Sequence, residues 1–324
     1  MKLLFEDIMT KAIKQKTSDI HFIPVENEVV IKLRVNESLI DFQKMTKHTY
    51  AKLLTYMKYQ ACLDVSTHHI AQSGRYIYNY KQLYYLRIST LPLSLGIESC
   101  VIRIIPQYFY QSTEEMQLDY LYHLMTKKQG LVLFTGPTGS GKSTSMYQMS
   151  LYAKEQLNLN VITIEDPVER IIDGITQISV NTKAGIDYHN SFKAILRCDP
   201  DVILIGEIRN AEIAKQVIHA SLSGHLVLTT LHANSCEGAL LRLLEMGLTN
   251  QELVQTIINI TNQRLITSND KHRYLVAESL SYEDIHYFFN NNYRLPEDFQ
   301  TLPNILQRLS QKGVICEKVV QKYI

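Results

Sequence analysis

Nine consecutive residues have the composition and spacing of a phosphate-binding loop. They are Gly136, Pro137, Thr138, Gly139, Ser140, Gly141, Lys142, Ser143 and Thr144. An apolar run precedes them at 131–134, and a helix-like stretch follows at 145–156. In this order of strand, loop and helix, backbone N–H groups and the helix N-terminus face the phosphate oxygens. We expect Lys142 to reach the β- and γ-phosphates of ATP and the Ser143 hydroxyl to bind Mg²⁺.

Carboxylates follow two further apolar runs. Glu165 and Asp166 come directly after the run at 161–164, and Glu207 follows the run at 202–206. Ligands of open α/β sheets bind at the carboxyl ends of the strands, so we expect these acids beside the phosphate loop. Carboxylates there suit Mg²⁺ coordination, in part through water, and activation of a water molecule. The alternative is that they only cap helices at strand–helix junctions.

Two histidines flank the apolar run at 226–231. His225 precedes it and His232 follows it. A regular strand rises about 3.3 Å per residue, so their separation is roughly 20 Å or more. Only one of them can therefore touch a γ-phosphate, and the exit of the strand favours His232 as a nucleotide-sensing residue. The alternative is a packed, hydrogen-bonded histidine.

The composition limits the classes of protein. The chain has 324 residues, a formal net charge of +1 and five cysteines without a C-x-x-C pair. The balanced charge does not favour a broad nucleic-acid surface, and the scattered cysteines favour free thiols in a reducing cytoplasm. No apolar run approaches the ~18–20 residues that span a bilayer, and the N-terminus does not have the pattern of a signal peptide. We expect peripheral association with the inner face of the membrane through partners.

The pattern of elements predicts two domains. Residues 1–105 combine an amphipathic N-terminal helix, a helix near 50–59 and short strands, which indicates a small α+β domain. Its strands are expected at 20–23, 29–35, 76–80, 83–89 and 100–105. An aperiodic linker is expected at 106–116. From residue 117 to 324 helices alternate with buried strands, expected at 131–135, 160–164, 175–180, 201–206 and 226–231. The fold class is therefore α/β, a P-loop domain preceded by a smaller α+β domain.

Further segments resemble the type II secretion and type IV pilus ATPase superfamily. Residues 163–169 resemble its Asp box, 196–209 its atypical Walker B segment and 223–234 its His box. In the N-terminal part, the resemblance includes S-D-I-H at 18–21, G-R within 73–75, R-I-S-T-L-P at 87–92 and V-I-R-I at 101–104. It implies a RecA-like ATPase domain behind a PAS-like N-terminal domain. It also implies a hexameric ring that uses ATP and Mg²⁺ and acts on a membrane platform protein.

The resemblance also implies roles for arginines. Arg75, Arg87 and Arg103 stand in the segments whose arginines approach the phosphates of a bound or neighbouring nucleotide. Arg197 and Arg209 stand in the Walker B segment. An arginine supplies a permanent planar charge to a developing phosphoryl transition state. The alternative is that these side chains lie at a solvated sheet surface.

Departures from the family pattern narrow the subgroup. An additional N-terminal domain and a tetracysteine zinc module are expected to be absent, as in the short ATPases of the Gram-positive competence pilus. Such an ATPase is implied to power assembly of a DNA-uptake pseudopilus. Asn210 and Ser73 each stand where the family usually has Asp. Residues 281–324 contain no motif of this resemblance, although 302–309 reads as part of a terminal helix. Core packing is expected for Tyr282, Tyr287, Phe288 and Phe289, and the alternative is that they bind a partner.

Other functions stay open at this stage. Within the family, a retraction motor uses the same motifs. A RecA-like nucleic-acid motor would need a basic groove with interleaved aromatic residues, and no such cluster stands out, so direct nucleic-acid binding is not expected. A nucleotide-dependent scaffold without turnover and a small-molecule kinase are weaker candidates. Which of Glu165 and Glu207 acts as the general base is also open.

Overall fold

The computed structural model describes residues 1–36, 38–94, 96–107, 119–181, 184–270 and 273–323. The chain divides into two units, Met1–Tyr110 and Gln111–Ile324. From residue 108 onward, the predicted linker lies outside the described residues.

The first unit is one antiparallel sheet with two helices. Its elements are α1 (Lys2–Lys14), β1 (Thr17–Pro24), β2 (Glu28–Val35), β3 (Ser38–Thr46), α2 (Lys47–Gln60), β4 (Gln72–Tyr80), β5 (Gln82–Pro92) and β6 (Glu98–Pro106). The strand order is β3-β2-β1-β6-β5-β4. Alternate residues such as Ile20 and Phe22 on β1 point into the core with Phe5 and Met9 of α1 and Leu53 of α2.

The first unit has one strand more than expected. All five predicted strands are present, and β3 is additional. Most of β3 is exposed or half-buried at the edge of the sheet, so its sequence has little of the alternation that a half-buried strand shows. It pairs with β2, with a register shift between Ile31 and Lys32.

The second unit contains a seven-stranded sheet. Its elements are α3 (Asp119–Leu124), β7 (Gly130–Thr135), α4 (Lys142–Leu157), β8 (Val161–Glu165), β9 (Thr176–Ser179), α5 (Tyr188–Ile195), β10 (Val202–Ile205), α6 (Ala211–Leu222), β11 (Leu226–Leu231), α7 (Cys236–Glu245), α8 (Asn250–Thr256), β12 (Ile257–Thr267), β13 (Arg273–Ser281), α9 (Tyr282–Asn290), α10 (Leu302–Gln311) and α11 (Glu317–Val320). The strand order is β13-β12-β7-β11-β10-β8-β9, and β13 alone runs antiparallel to its neighbour. All five predicted strands of this domain are present.

The central strands β7, β8, β10 and β11 are buried along their whole length, as expected for a parallel sheet covered on both faces. The phosphate loop joins β7 to α4. Glu165 is the last residue of β8, and Glu207 and His232 lie just beyond β10 and β11. Parallel pairing of these strands therefore brings the predicted site residues to the same edge of the sheet.

The C-terminal helices pack against the second sheet. Helix α10 includes the whole range 302–309 predicted to be helical. Its residues Leu302 and Leu306 are buried in a cluster with Ile266 of β12 and Val276 of β13. In α9 the prediction of core packing is right for the fully buried Phe288. It is wrong for Tyr282 and Tyr287, which are 44% and 40% exposed because they lie on the solvent side of the helix.

No described helix is both long enough and apolar enough to cross a membrane.

Candidate nucleotide-binding site

The phosphate loop has a backbone that its glycines make possible. Gly136, Gly139 and Gly141 have φ angles of 131°, 81° and 93°, a region that other residues rarely adopt. A Cβ atom on Gly136 would lie 2.5 Å from the carbonyl oxygen of Gln263. Gly141 is the N-cap of α4, and Lys142 is the first residue of that helix. The loop therefore ends at the N-terminus of a 16-residue helix, a position that favours the binding of anions.

Lys142 lies against the loop. Its Nζ donates hydrogen bonds of 2.8 Å to the carbonyl oxygens of both Gly136 and Pro137, and the residue is 8% exposed. Burial lowers the pKa of Lys142 to about 8. The positive charge of Arg264 also lowers this pKa, whereas the negative charge of Glu207 raises it. The ammonium group is therefore within electrostatic reach of the predicted carboxylate at the end of β10.

Glu165 is held inside the sheet edge. Its carboxylate accepts hydrogen bonds from the hydroxyl of Tyr147 and from Thr163 Oγ1 at 2.8 Å, and Gln177 Nε2 lies 3.4 Å away. Only 6% of the residue is exposed. Burial raises the pKa of Glu165, and these hydrogen bonds reduce the shift. The group is thus a desolvated carboxylate of the kind that accepts a proton at a higher pH than usual.

Arg209 joins the other two carboxylates. Its Nη1 donates to Asp166 Oδ2 at 2.5 Å, and its Nε donates to Glu207 Oε1. The second oxygen of Glu207, Oε2, lies 3.5 Å from His232 Nε2. The ends of β8, β10 and β11 therefore meet in one polar cluster. Arg197, the other arginine of the same segment, is exposed.

The two histidines are separated as the strand geometry predicts. His232 follows β11 at the edge that contains the phosphate loop, and its carbonyl oxygen accepts a hydrogen bond of 2.7 Å from Arg242 Nη1. His225 precedes β11 at the opposite end, with its Nδ1 3.3 Å from the carbonyl oxygen of Ala220. Of the two, only His232 lies at the edge of the sheet that contains the phosphate loop.

The donor groups at this edge fit Mg²⁺. Ser143 and Thr144 are exposed in the first turn of α4, and the charge of Glu207 acts on the neighbouring Lys142. Hydroxyl and carboxylate oxygens are hard ligands, and Mg²⁺ is usually held by one or two carboxylates together with substrate phosphates. The described residues contain no group of three or more His, Cys, Asp or Glu side chains arranged to hold a metal ion.

Sequence reasoning missed three side chains that support the site. Gln263 Nε2 on β12 donates to the Ser140 carbonyl oxygen at 2.9 Å, and its Oε1 accepts from Ser145 Oγ at 3.2 Å. Arg264 is 7% exposed beside the same loop, and Tyr147 fixes Glu165. A run of polar residues inside an otherwise apolar strand is the signal that could have identified Gln263 and Arg264. The position of Tyr147, five residues after the loop lysine, carries no such signal.

The predicted arginines of the first unit form a row across its sheet. Arg75 on β4 pairs with Arg87 on β5, and Arg87 pairs with Arg103 on β6. Arg103 in turn pairs with Asp19 on β1, and its Nε donates to Asp19 Oδ1 at 2.9 Å. Residues paired directly across strands have side chains on the same face, so the three guanidinium groups share one face of the sheet.

The two departures from the family pattern have local roles. Asn210 caps α6, and its Oδ1 accepts from Ile213 N at 3.0 Å, a role that Asp performs equally well. Ser73 on β4 lies 3.0 Å from Ser89 on β5, measured between their hydroxyl oxygens.

Comparison with known proteins identifies the family. A family model described as "Type II/IV secretion system protein" matches residues 1–292. Competence protein ComGA of Bacillus subtilis (strain 168) is 40% identical over 267 residues, which are 81% of this chain and 75% of that protein. Type II secretion system protein E of Klebsiella pneumoniae is 38% identical over 276 residues, 81% of this chain and 54% of that protein. The chain thus spans about half the length of the latter relative.

Solved structures agree on the fold. The pilus retraction motor PilT with bound ADP has a TM-score of 0.76 and 25% identity, and the match covers 98% of this chain and 96% of that chain. The Legionella pneumophila ATPase DotB has a TM-score of 0.77 at 20% identity, covering 98% and 95% of the two chains. The predicted fold class, a RecA-like P-loop domain behind a smaller α+β domain, is confirmed. The chain belongs to the Type II/IV secretion system protein family and is a P-loop ATPase of the secretion and pilus motors.

Proposed function

We propose that this chain forms a hexameric motor whose ATP hydrolysis drives assembly of a competence pseudopilus for DNA uptake. The observation that carries the proposal is that the polar cluster containing Glu207 and His232 lies at the same edge of the sheet as the phosphate loop, where the charge of Glu207 acts on Lys142. It occurs in a chain with 40% identity to a competence protein over most of the length of both. The motor would work at the inner face of the cell membrane and act on a platform protein embedded there.

The phosphate loop would bind ATP. Residues 136–144 direct backbone N–H groups at the phosphates, and Lys142 exchanges its two carbonyl partners for β- and γ-phosphate oxygens. Ser143 and Glu207 would hold Mg²⁺, with Asp166 acting through water. When bound, Mg²⁺ would neutralise negative charge on the phosphates as the γ-phosphoryl group is transferred. Glu207 suits this role because Arg209 holds its Oε1, while its Oε2 lies 3.5 Å from His232 Nε2.

Glu165 would accept the proton of the attacking water. Its pKa is raised by burial, which moves a carboxylate towards the working range of a general base. Tyr147 and Thr163 hold its orientation. Glu165→Gln is then expected to bind ATP normally and to lose turnover. Glu207→Gln is instead expected to need a higher Mg²⁺ concentration for half-maximal activity, so titration of Mg²⁺ separates the two roles.

The arginine row of the first unit would contribute charge to the transition state. Arg75 and Arg87 are adjacent in the β4–β5 ladder, so both can approach one phosphate group. Arg75→Ala is expected to lower turnover while ATP binding is kept. Lys44→Ala, which only removes an exposed pair with Glu28, serves as the matched control.

Mixing two impaired variants tests whether these arginines act between chains. Lys142→Ala lacks a working nucleotide site but keeps its arginines, whereas Arg75→Ala keeps the nucleotide site and lacks one arginine. If arginines act on a neighbouring chain, the mixture is more active than the sum of the two variants measured separately. A mixture whose activity only equals that sum after subunit exchange would contradict shared active sites.

The whole proposal is tested by ATP hydrolysis and by DNA uptake. Turnover per chain is expected to rise with protein concentration as particles with the mass of six chains form, and to vanish in Lys142→Ala. In the source cells, replacement of the wild type by Lys142→Ala is expected to abolish transformation. Normal transformation in a strain whose protein no longer hydrolyses ATP would contradict a role in DNA uptake.

Retraction is the alternative function. It rests on the structural similarity to the pilus retraction motor PilT, whose identity of 25% is lower than that of the competence relative. Loss of extracellular pseudopili in Lys142→Ala cells favours assembly, whereas their accumulation favours retraction.

A further inference from the structure

The carboxylate of Glu278 lies buried among donors from three separate segments. The residue is on β13 and is 3% exposed. Its Oε1 accepts from Cys236 N at 2.8 Å and from Asn262 Nδ2 at 3.0 Å, and its Oε2 accepts from Leu302 N at 2.6 Å. Cys236 and Leu302 are the first residues of α7 and α10. One carboxylate therefore joins two helix N-termini to the neighbouring strand β12.

Asn262 connects this carboxylate to Arg264. Asn262 Oδ1 accepts from Arg264 Nη1 at 2.7 Å. Arg264 also donates to the carbonyl oxygens of Gln263 and Asn234, at 3.0 and 3.1 Å. Burial lowers the pKa of Arg264, and the charge of Glu278 opposes that shift. Glu278 thus supplies both geometry and charge compensation to a buried guanidinium group.

Gln263 and Arg264 in turn shape the phosphate loop. Gln263 donates to the Ser140 carbonyl oxygen at 2.9 Å. Around Gly136 there is no space for a Cβ atom, which would lie 2.5 Å from Gln263 O and 3.0 Å from Arg264 Nη1. A shift of this part of β12 would therefore move the loop backbone directly.

We propose that Glu278 is a positioning residue for ATP binding, through which docking of helix α10 holds the phosphate loop in its binding conformation. The inference rests on the proposed role of residues 136–144 as the ATP site. Helix α10 begins at Leu302, beyond residue 292 where the family match ends. The C-terminal segment of this chain thereby becomes a support of its nucleotide site.

Substitutions at both ends of the Glu278–Leu302 contact test the proposal. Glu278→Gln places an amide donor where the carboxylate accepted, so at least one buried N–H loses its partner. Leu302→Pro removes the backbone donor itself at a helix position that tolerates proline. Thr301 has φ −67° and ψ 155°, the conformation that a residue before proline prefers. Leu302→Ala is the matched control, since it shortens the side chain and keeps the N–H.

The readouts are the Kd of a fluorescent ATP analogue and the steady-state kinetics of the full-length protein. Both Glu278→Gln and Leu302→Pro are expected to raise the Kd and the KM for ATP by about tenfold, with kcat changed by about twofold or less. Leu302→Ala and Ile315→Ala, which shorten buried side chains of the same C-terminal cluster, are expected to lower the melting temperature and leave the Kd near the wild-type value.

A Kd that follows the melting temperature alone across all four variants would overturn the proposal, because a merely structural residue gives that result. Lys142→Ala in the same binding assay separates the inference from the site on which it rests. If Lys142→Ala loses ATP binding and Glu278→Gln does not, the role of Glu278 is wrong and the site assignment stands. If Lys142→Ala binds ATP normally, both are wrong.

Discussion

The hydroxyl group of Tyr147 donates a hydrogen bond to the carboxylate of Glu165. Tyr147 lies on α4, the helix that begins at the phosphate-loop lysine, and Glu165 is the last residue of β8. Both residues are almost completely buried. The contact therefore ties the proposed general base to the helix that presents the phosphate loop, and any movement of this helix displaces the base.

Replacement of Tyr147 by Phe is expected to destabilise the protein by about 1–3 kcal/mol, because a buried carboxylate loses a donor.

The same replacement is also expected to raise the pKa of Glu165 further, since the hydrogen bond from Tyr147 favours the ionised form. The folded state then binds more protons than the unfolded state at pH values above the ordinary 4.5 of a glutamate. The free energy of unfolding therefore falls as the pH rises through this window, and it falls further in Tyr147→Phe than in the wild type.

Denaturant unfolding at a series of pH values measures this slope. Glu165→Gln is the control, because it removes the titrating group and should flatten the slope in this window. An equally steep slope in Glu165→Gln would assign the pH dependence to another group.

The activity is expected to fall at alkaline pH through Lys142. Its pKa of about 8 means that the ammonium group of the free enzyme loses its proton above that pH, and with it the charge that attracts phosphates. We expect kcat/KM for ATP to decrease as the pH rises through about 8 in the wild type. Lys142→Arg, whose guanidinium stays charged, should give a lower but flat profile over the same range. A profile of the same shape in both proteins would contradict this origin.

Removal of the Arg209 bridge is expected to impair catalysis more than binding. Arg209→Gln leaves Asp166 and Glu207 without their shared cation, so the two carboxylates repel each other and Glu207 loses its fixed position. We expect kcat to fall by about 10- to 100-fold while the Kd for ATP changes little. Arg197→Gln, a change of the same kind at an exposed arginine of the same segment, should leave both values unchanged. Similar losses in the two variants would show that Arg209 has no special role.

The glycines of the phosphate loop are expected to differ in their tolerance of alanine. Gly139 has open space around its Cα, so Gly139→Ala costs only the strain of a positive φ, about 1–2 kcal/mol. Gly136→Ala adds a clash with backbone atoms of β12 and is expected to abolish ATP binding. Unfolding free energies and the Kd for ATP measured side by side test this order. Equal effects at the two positions would contradict the close packing of β12 on the loop.

Local patterns identified much of the architecture. Four of the five predicted strands of the second unit, β7, β8, β10 and β11, are short apolar runs buried on both faces, which a sequence displays directly. The fifth, β9, lies at the edge of the sheet and is half-buried or exposed. Strand β12 escaped prediction because Asn259, Asn262, Gln263 and Arg264 are buried there with hydrogen-bond partners, and a buried polar residue looks like a surface residue in a sequence. The linker at 106–116 stays a prediction.

The sequence by itself determined the phosphate loop, the family and ten of the thirteen described strands, because each depends on neighbouring residues or on motifs in chain order. Only the tertiary structure decided which partners those residues meet. Gln263 supports Ser140 from 123 residues away, and Arg209 reaches Asp166 across 43 residues. Such contacts depend on the pairing order of the strands, which follows from burying whole faces of the sheet and not from the local sequence at either end.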